Sequence, residues 1–168
     1  MSAPRGRADS SPAGDPASYT ALLQHLLDQV PDAVFVKDLK GRYLLVNAVA
    51  ARVIGRPVEA ILGQDDYALF PVHIAQELQR HDREAATSHQ RLTFEELTKV
   101  DGEVHTFLST KTPYDSPNGV TVGVIGISRD ITALKKAEAA LCETERRYRD
   151  LIELAPDAIV VHRDFRLI

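Results

Sequence analysis

The stretch Lys99–Thr132, KVDGEVHTFLSTKTPYDSPNGVTVGVIGISRDIT, carries the strongest structural signal in this sequence of 168 residues. Asp101-Gly102 has the preferred chemistry of a two-residue hairpin turn, and SPNG at residues 116–119 predicts a second turn. The segments beside these turns are rich in β-branched and aromatic residues. Together with the alternating segment RLTFEELTKV before it, the stretch predicts three consecutive antiparallel strands.

The sequence before this stretch predicts a further hairpin and then a group of helices. DAVFVKD and RYLLVN flank a turn at Lys40-Gly41 and read as two strands. Asn47 is a predicted cap for a short helix that Gly55 ends. Two more short helical segments follow, and then a longer helix after Pro71. Because the helices lie between two groups of strands, the order predicts an α+β fold with an antiparallel sheet.

A helix is predicted on either side of this sheet-forming region. From about Ser18, leucines recur on one helical stripe. Residues 131–154 contain neither Gly nor Pro and are dense in Ala, Leu, Lys, Glu and Arg, which predicts a long polar helix. Its apolar residues follow alternating three- and four-residue steps, which favours a signalling coiled coil or helix pair over a surface helix with a narrow stripe. These seam residues are Leu134, Ala137, Leu141, Thr144, Tyr148 and Leu151.

Two segments of the chain repeat each other at about a domain's distance. LLDQVPDAVFV at Leu26–Val36 matches LIELAPDAIVV at Leu151–Val161, which predicts two copies of one domain, the second cut short. The predicted organisation is therefore a disordered tail over 1–17, a domain over 18–130, a linker helix over 131–154 and the truncated start of a second domain over 155–168.

Charge, cysteine content and hydropathy exclude several classes of function and location. The net charge of -4 and the pI of about 5.8 argue against nucleic acid as a partner. A single cysteine, Cys142, fits a reducing compartment. No apolar run approaches the ~20 residues of a membrane span, and the N-terminus lacks the apolar segment of a secretory signal. A cytoplasmic location without membrane contact is expected.

Three motifs resemble the PAS domain family of bacterial sensory modules. They are VPDAVFVKDLKGRYLLVN, similar to the opening hairpin of the family, GQDDYALFP at Gly63–Pro71, and the stretch Lys99–Thr132, which resembles the C-terminal PAC motif. The second departs from the subfamily pattern at Asp65 and Ala68, where Thr and Asp are usual. The resemblance covers residues from about Tyr19 to Thr132, and residues 155–168 resemble the first strand of a second PAS domain.

The resemblance implies a five-stranded antiparallel sheet with short helices on one face, enclosing a pocket. It also implies a signal relay at the junction of the last strand and the linker helix, through Asp130, Ile131 and Thr132. Thr132 is a predicted cap of that helix. By analogy and strand alternation, the pocket is expected to be lined by Phe35, Leu45, Ile54, Ile61, Tyr67, Phe70, Phe94, Leu108, Val122 and Val124, although for any single one of these an ordinary core position is favoured over a cavity wall.

No catalytic or metal site is predicted. Asp65 and Asp66 open a short helix, where acidic residues are favourable, and the neighbours Glu95 and Glu96 face opposite sides of a strand. Serine-elbow, phosphate-loop, zinc, kinase and cyclase motifs are absent from the sequence. The residues are therefore not expected to form an enzyme.

The cofactor hypothesis concerns one histidine. Haem-binding relatives carry a proximal His on the long mid-domain helix, and here His81 lies in the equivalent segment, QRHDREA. The two interpretations are an axial haem ligand and a solvent-facing histidine. The only cysteine lies in the linker helix, which excludes covalent flavin chemistry of the light-sensor kind, and the cofactor expectation is none, with haem as the alternative.

The functional prediction is a sensory and dimerisation PAS module of a multi-domain signalling protein. A sensor histidine kinase is favoured over a diguanylate cyclase as the parent, with the output domain beyond these residues. A homodimer through the N-terminal and linker helices is expected. The alternatives are a haem-based gas or redox sensor using His81 and a structural dimerisation domain that binds no ligand.

Overall fold

The computed structural model describes residues 16–154, 162–163 and 166–167. These residues form two compact units that divide after Asp130. The predicted disordered tail over 1–17 and the predicted second domain over 155–168 lie largely outside the described residues. Within the second segment, β6 (His162–Arg163) and β7 (Arg166–Leu167) pair antiparallel.

The first unit has the predicted order of two strands, helices and three strands. Its helices are α1 (Pro16–Gln29), α2 (Ala48–Ile54), α3 (Val58–Ile61), α4 (Asp66–Leu69) and α5 (Val72–Ser88). Its strands are β1 (Ala33–Asp38), β2 (Tyr43–Val46), β3 (Leu92–Val100), β4 (Glu103–Asp115) and β5 (Thr121–Asp130). The second unit contains α6 (Thr132–Leu154).

The five strands of the first unit form one antiparallel sheet in the order β2-β1-β5-β4-β3. The first and last strands of the unit are therefore neighbours at the centre of the sheet. This topology confirms the predicted α+β class. It also brings residues near the start of the chain next to the strand that leads into α6.

The predicted turns have the expected backbone chemistry. Val100 pairs with Glu103, so the β3–β4 loop consists of Asp101 and Gly102 alone. Both have positive φ, 50° and 87°, as a two-residue hairpin loop of this kind requires. Register across this hairpin is set by the turn, which fixes the side of the sheet that each β3 and β4 residue faces.

Asn47 joins three elements. Its side-chain oxygen accepts hydrogen bonds from the backbone amides of Ala50, at the start of α2, and Val34, in β1, at 2.9 and 3.0 Å. Its amide nitrogen donates to the carbonyls of Leu27 and Asp32, both at 3.0 Å. The predicted cap is confirmed, and Asn47 additionally fixes α2 against β1.

An apolar core fills the space between the β1–β2 end of the sheet and the short helices α2 and α3. Its buried members are Ala33, Phe35, Tyr43, Val46, Ala50, Ala51 and Ile61. The Phe35 ring lies directly over Gly126 in β5, and a Cβ at position 126 would overlap the ring. A glycine in mid-strand therefore makes room for the largest side chain on β1.

Candidate ligand cavity and its buried charge network

A cavity of about 60 Å³ lies inside the first unit, between the sheet and the helices. One part of its wall is apolar and is contributed by strands, α2 and α5. The other part is polar and comes from the inward positions of all five strands. The apolar residues are Ala33, Phe35, Ala50, Val53, Ile54, Phe70, Leu78, Leu97 and Phe107, and the polar residues are Lys37, Tyr43, Glu96, Thr98, Ser109, Lys111 and Ser128.

Strand alternation explains how polar side chains reach the interior. Ser109 and Lys111 are two residues apart on β4 and so face the same side, and Ser128 lies opposite Ser109 in the β4–β5 register. The Ser109 and Ser128 hydroxyl oxygens are 2.7 Å apart. Because the neighbouring β5 position, Gly126, has no side chain, the inner face is open at this point.

Two buried lysines and three buried carboxylates form a continuous network beside the cavity. Lys37 Nζ donates to both oxygens of Asp66 at 2.7 Å and to Asp82 at 2.8 Å. Lys111 Nζ donates to the other oxygen of Asp82 at 2.6 Å and lies 2.9 Å from Glu96. Asp82, on α5, thus bridges lysines from β1 and β4. Each of these five side chains is less than 10% exposed.

The lysines hold two of the carboxylates ionised. Burial opposes ionisation of Asp82, but Lys37 and Lys111 outweigh it and lower the pKa of its carboxyl. Burial likewise opposes ionisation of Glu96, whose pKa is lowered by Lys111 and by hydrogen bonds from Ser109, His81 and Lys111.

Asp66 behaves differently from the other two carboxylates. Burial raises the pKa of Asp66 in spite of Lys37 and of the hydrogen bond that the Tyr43 hydroxyl donates at 2.9 Å. On acidification Asp66 therefore takes up a proton before Asp82, because their pKa values are shifted in opposite directions from the same ordinary value. The sequence interpretation of Asp65 and Asp66 as a pair at a helix start holds for Asp65, which accepts from the Ala68 amide at 3.1 Å. Asp66 is likewise in the first turn of α4, and its fully buried carboxylate is in addition paired with Lys37.

His81 is buried, so its interpretation as a solvent-facing residue is wrong. Its ring is 4% exposed and stacks on Phe94 with the centroids 4.0 Å apart. Nδ1 is 2.7 Å from Glu96, and Nε2 is 2.8 Å from the Arg80 guanidinium. Because a guanidinium can only donate, Nε2 accepts and Nδ1–H donates to Glu96. The predicted opposite facing of Glu95 and Glu96 is confirmed, with Glu95 exposed and Glu96 buried.

A haem group does not fit this arrangement. Both ring nitrogens of His81 are occupied by side chains, and His81 is not among the residues that line the cavity. The cavity is also far smaller than the about 300–1,000 Å³ of pockets that enclose drug-sized ligands. The alternative of a haem sensor ligated by His81 therefore has no support in the geometry.

The predicted pocket residues are distributed over several environments. Three of them, Phe35, Ile54 and Phe70, line the cavity. Ile61 lies in the apolar core, Phe94 stacks on His81, and Val124 lines a separate cleft beside the β1–β2 turn. Leu45 is half-buried and outside the lining of the cavity, while Tyr67, Leu108 and Val122 are exposed.

The polar wall was missed by sequence reasoning, which selected apolar residues only. The available signal was a charged residue at an inward position of a strand. Lys37 shares a strand face with Phe35, and Lys111 shares one with Phe107. A lysine on a face that otherwise reads as core indicates a buried partner.

A groove of about 420 Å³ adjoins the cavity, because Ala33, Val53, Phe107 and Ser128 line both. Ser128 therefore lies where the two spaces meet, two residues before Asp130 at the end of β5. Asp130 Oδ2 is 2.6 Å from Nδ1 of His105 on β4. In the second unit, the Ile131 carbonyl accepts from the Lys135 amide at 2.9 Å, and Thr132 is the first residue of α6.

No helix in the described part of the chain is long and apolar enough to cross a bilayer.

Comparison with known proteins finds similarity to two curated signalling proteins. The methanogenesis regulatory histidine kinase FilI of Methanothrix harundinacea is 31% identical over 121 residues, covering 72% of this chain and 14% of that protein. A diguanylate cyclase of Vibrio cholerae is 26% identical over 115 residues, covering 67% of this chain and 36% of that protein. The chain thus spans only a minor part of these relatives.

Solved structures share the fold. A PAS domain from Colwellia psychrerythraea is 26% identical with a TM-score of 0.58, covering 68% of this chain and 98% of that one. VqmA of Vibrio cholerae, in a complex with ligand and DNA, is 24% identical with a TM-score of 0.62, covering 71% of this chain and 53% of that one. The family described as the PAS fold matches residues 27–136, more than half of the sequence. On this match and on its five-stranded sheet, the chain belongs to the PAS-fold family.

Proposed function

We propose that this chain is a sensory and dimerisation module whose ligand state is passed to a signalling output domain. The observation that carries the proposal is the cavity with a polar wall inside an otherwise apolar domain. Buried ion pairs are weak sources of stability, because desolvation offsets most of their attraction. Five buried charges gathered beside a cavity therefore indicate that its polar wall serves a purpose other than stability.

The proposed site includes Phe35, Ile54 and Phe70, together with the polar residues Glu96 and Ser128. A ligand there would be held between α2 and the inner face of β3–β5. Since β5 lies at the centre of the sheet beside β1, a shift of β5 on binding would change the contacts of its last residue.

The proposed relay is the junction of β5 and α6, at Asp130, Ile131 and Thr132. Ser128 faces the cavity and lies two residues upstream of Asp130, so a strand displacement at the ligand has a short path to the junction. A bias of about 1 kcal/mol is enough to shift a two-state helix several-fold. The proposed parent is a sensor histidine kinase, supported by the relative FilI, with the diguanylate cyclase relative as the second possibility.

The proposed dimer uses α1 and α6. In α1, Leu22, Leu23 and Leu26 are more than half exposed. In α6, the exposed Leu134, Leu141 and Tyr148 recur every seven residues. A heptad spacing of exposed apolar side chains is typical of a helix that pairs with another copy.

Native mass spectrometry of the full 168-residue chain, purified under mild conditions, tests ligand sensing. We expect a bound small molecule that is lost in Val53→Phe, where the larger side chain projects toward both the cavity and the groove. Val104→Phe is the matched control, because Val104 is 56% exposed and lines neither space. An empty wild-type protein, folded by circular dichroism, would reduce the module to assembly alone.

A further inference from the structure

The hydrogen-bond pattern of the cavity wall restricts the ligand chemistry, an inference that rests on the ligand-sensing function proposed above. The side-chain donors lining the cavity can be followed one at a time. Lys111 Nζ has three contacts, with Asp82, Glu96 and the Leu78 carbonyl at 2.6, 2.9 and 3.3 Å. An ammonium has three donors, so Lys111 has none left for a ligand.

The second lysine and the tyrosine are similarly engaged. Lys37 Nζ contacts three carboxylate oxygens, two of Asp66 and one of Asp82, and its charge also faces the rings of Phe35 and Tyr43. The Tyr43 hydroxyl donates to Asp66. The donors of Lys37 and Tyr43 therefore all point to carboxylates of the protein.

The same reasoning shows which of the two serine hydroxyls, Ser109 or Ser128, donates the hydrogen bond between them. Ser109 donates a hydrogen bond to Glu96, which is ionised and can only accept. The 2.7 Å contact between the hydroxyls of Ser109 and Ser128 then requires Ser128 to be the donor. With its proton directed at Ser109, the Ser128 oxygen offers the cavity lone pairs only.

The charges beside the cavity nearly cancel. Lys37 and Lys111 face Asp66, Asp82 and Glu96, and the Arg80 guanidinium adds a positive charge beyond His81. No buried side-chain nitrogen or oxygen of the described residues lacks a partner. An added anion would face three carboxylates, with only the half-buried Thr98 hydroxyl on the wall to donate to it, and an added cation would face two ammonium groups.

We propose that the cavity takes a small uncharged ligand that donates an N–H or O–H hydrogen bond to the Ser128 hydroxyl oxygen. The cavity of about 60 Å³ is smaller than the engineered apolar cavity of about 150 Å³ that holds benzene. The part of the ligand inside it therefore has only a few non-hydrogen atoms. Any larger part extends into the adjoining groove, whose rim carries Arg52, Asp101 and Asp130.

Four isosteric probes test this class directly on the full chain. Acetamide is neutral with a donor, acetone is neutral without one, acetate is an anion and acetamidinium is a cation, while all have the same number of non-hydrogen atoms and the same planar shape. Saturation-transfer NMR at equal millimolar concentrations ranks their binding. We expect acetamide to bind and the other three to bind at least several-fold more weakly.

Ser128→Ala removes the acceptor while keeping the fold of the strand. We expect it to raise the acetamide Kd roughly threefold to tenfold, as for one lost hydrogen bond. Thr110→Val, which deletes a hydroxyl on the other face of β4 beside Ser109, is the matched control and should leave the Kd unchanged. Equal binding of acetone and acetamide, or tighter binding of either ion, would overturn the inference.

A xenon NMR titration distinguishes a wrong ligand class from a failure of the proposed sensing function. If xenon enters wild type but not Val53→Phe, and acetamide does not bind, the ligand class is wrong while a sensing cavity remains. If neither xenon nor any probe enters the wild-type protein, the cavity itself is closed to ligands and both proposals are overturned.

Discussion

The two ends of the inner sheet face are held by different chemistry. At the β1–β2 end, Phe35, Val46 and Ile61 pack in an apolar core. At the β3–β4 end, Lys111, Asp82 and Glu96 hold α5 to the sheet through ion pairs. Apolar packing loses energy in proportion to the atoms removed, whereas an ion network leaves an uncompensated charge when one member is removed. Equal burial at the two ends therefore does not mean equal tolerance of substitution.

Removing Lys111 should give the largest loss of stability. Lys111→Met leaves Asp82 and Glu96 without their shared ammonium, and breaking a buried pair in this way costs about 3–5 kcal/mol. The free energy of unfolding, from urea titration, measures the effect. Lys99→Met, at an exposed position on β3, is the control and should change stability by less than about 0.5 kcal/mol. Similar values for the two variants would show that the charged end tolerates change as surface residues do.

Acid should weaken the charged end selectively. Because the pKa values of Asp82 and Glu96 are lowered in the folded state, their stabilisation is complete above the ordinary values of 3.8 and 4.5 and is lost as the pH falls through the lowered values. Asp66, with a raised pKa, works in the opposite direction, because the folded state binds its proton more readily than the unfolded state.

Glu96→Gln isolates one part of this acid response. It removes one of the two groups with lowered pKa, so the decline of unfolding free energy below about pH 4.5 should be shallower by up to about 1.4 kcal/mol per pH unit. Urea titrations over a pH series measure the slope. Glu95→Gln, at the exposed neighbouring position, should keep the wild-type slope. An unchanged slope in Glu96→Gln would mean that Glu96 titrates alike in the folded and unfolded states.

A small deletion at the apolar end should have a smaller effect. Ile61→Val removes one methylene from a fully buried side chain and should cost about 1 kcal/mol. Chemical denaturation compares it with Lys111→Met under the same conditions. A cost above that of Lys111→Met would reverse the ranking of the two ends.

A substitution in α6 is expected to have the smallest effect on folding. It should change the oligomeric state instead. Leu141→Glu places a charge in the proposed seam and should convert a dimer to monomer, while the unfolding free energy of the first unit stays within about 0.5 kcal/mol. Sedimentation equilibrium gives the mass. Ala139→Glu, on the opposite side of the heptad, should remain dimeric. A monomeric wild-type protein would remove the proposed dimer altogether.

The order of elements could be predicted from local chemistry. The Asp101-Gly102 turn, the Asn47 cap and the helix end at Gly55 each act through backbone geometry within a few residues. The apolar part of the cavity was predicted in part, through Phe35, Ile54 and Phe70. Leu108 shows why alternation alone is insufficient, because it was assigned inward but the buried residues of β4 are Phe107, Ser109 and Lys111.

The strands, the helices and the turns between them could therefore be predicted, since they depend on interactions over a few residues. Which face of each strand is inward, and which charges meet, depends on the packing of distant parts of the chain. Lys37 and Asp82 are 45 residues apart, and Lys111 and Asp82 are 29 apart. Their contact depends on β1 and β5 pairing at the centre of the sheet and on α5 crossing its inner face. A charge is stable in that interior only when the fold places an opposite charge beside it. The residues that form the network are therefore identified by their partners, which the local sequence pattern does not reveal.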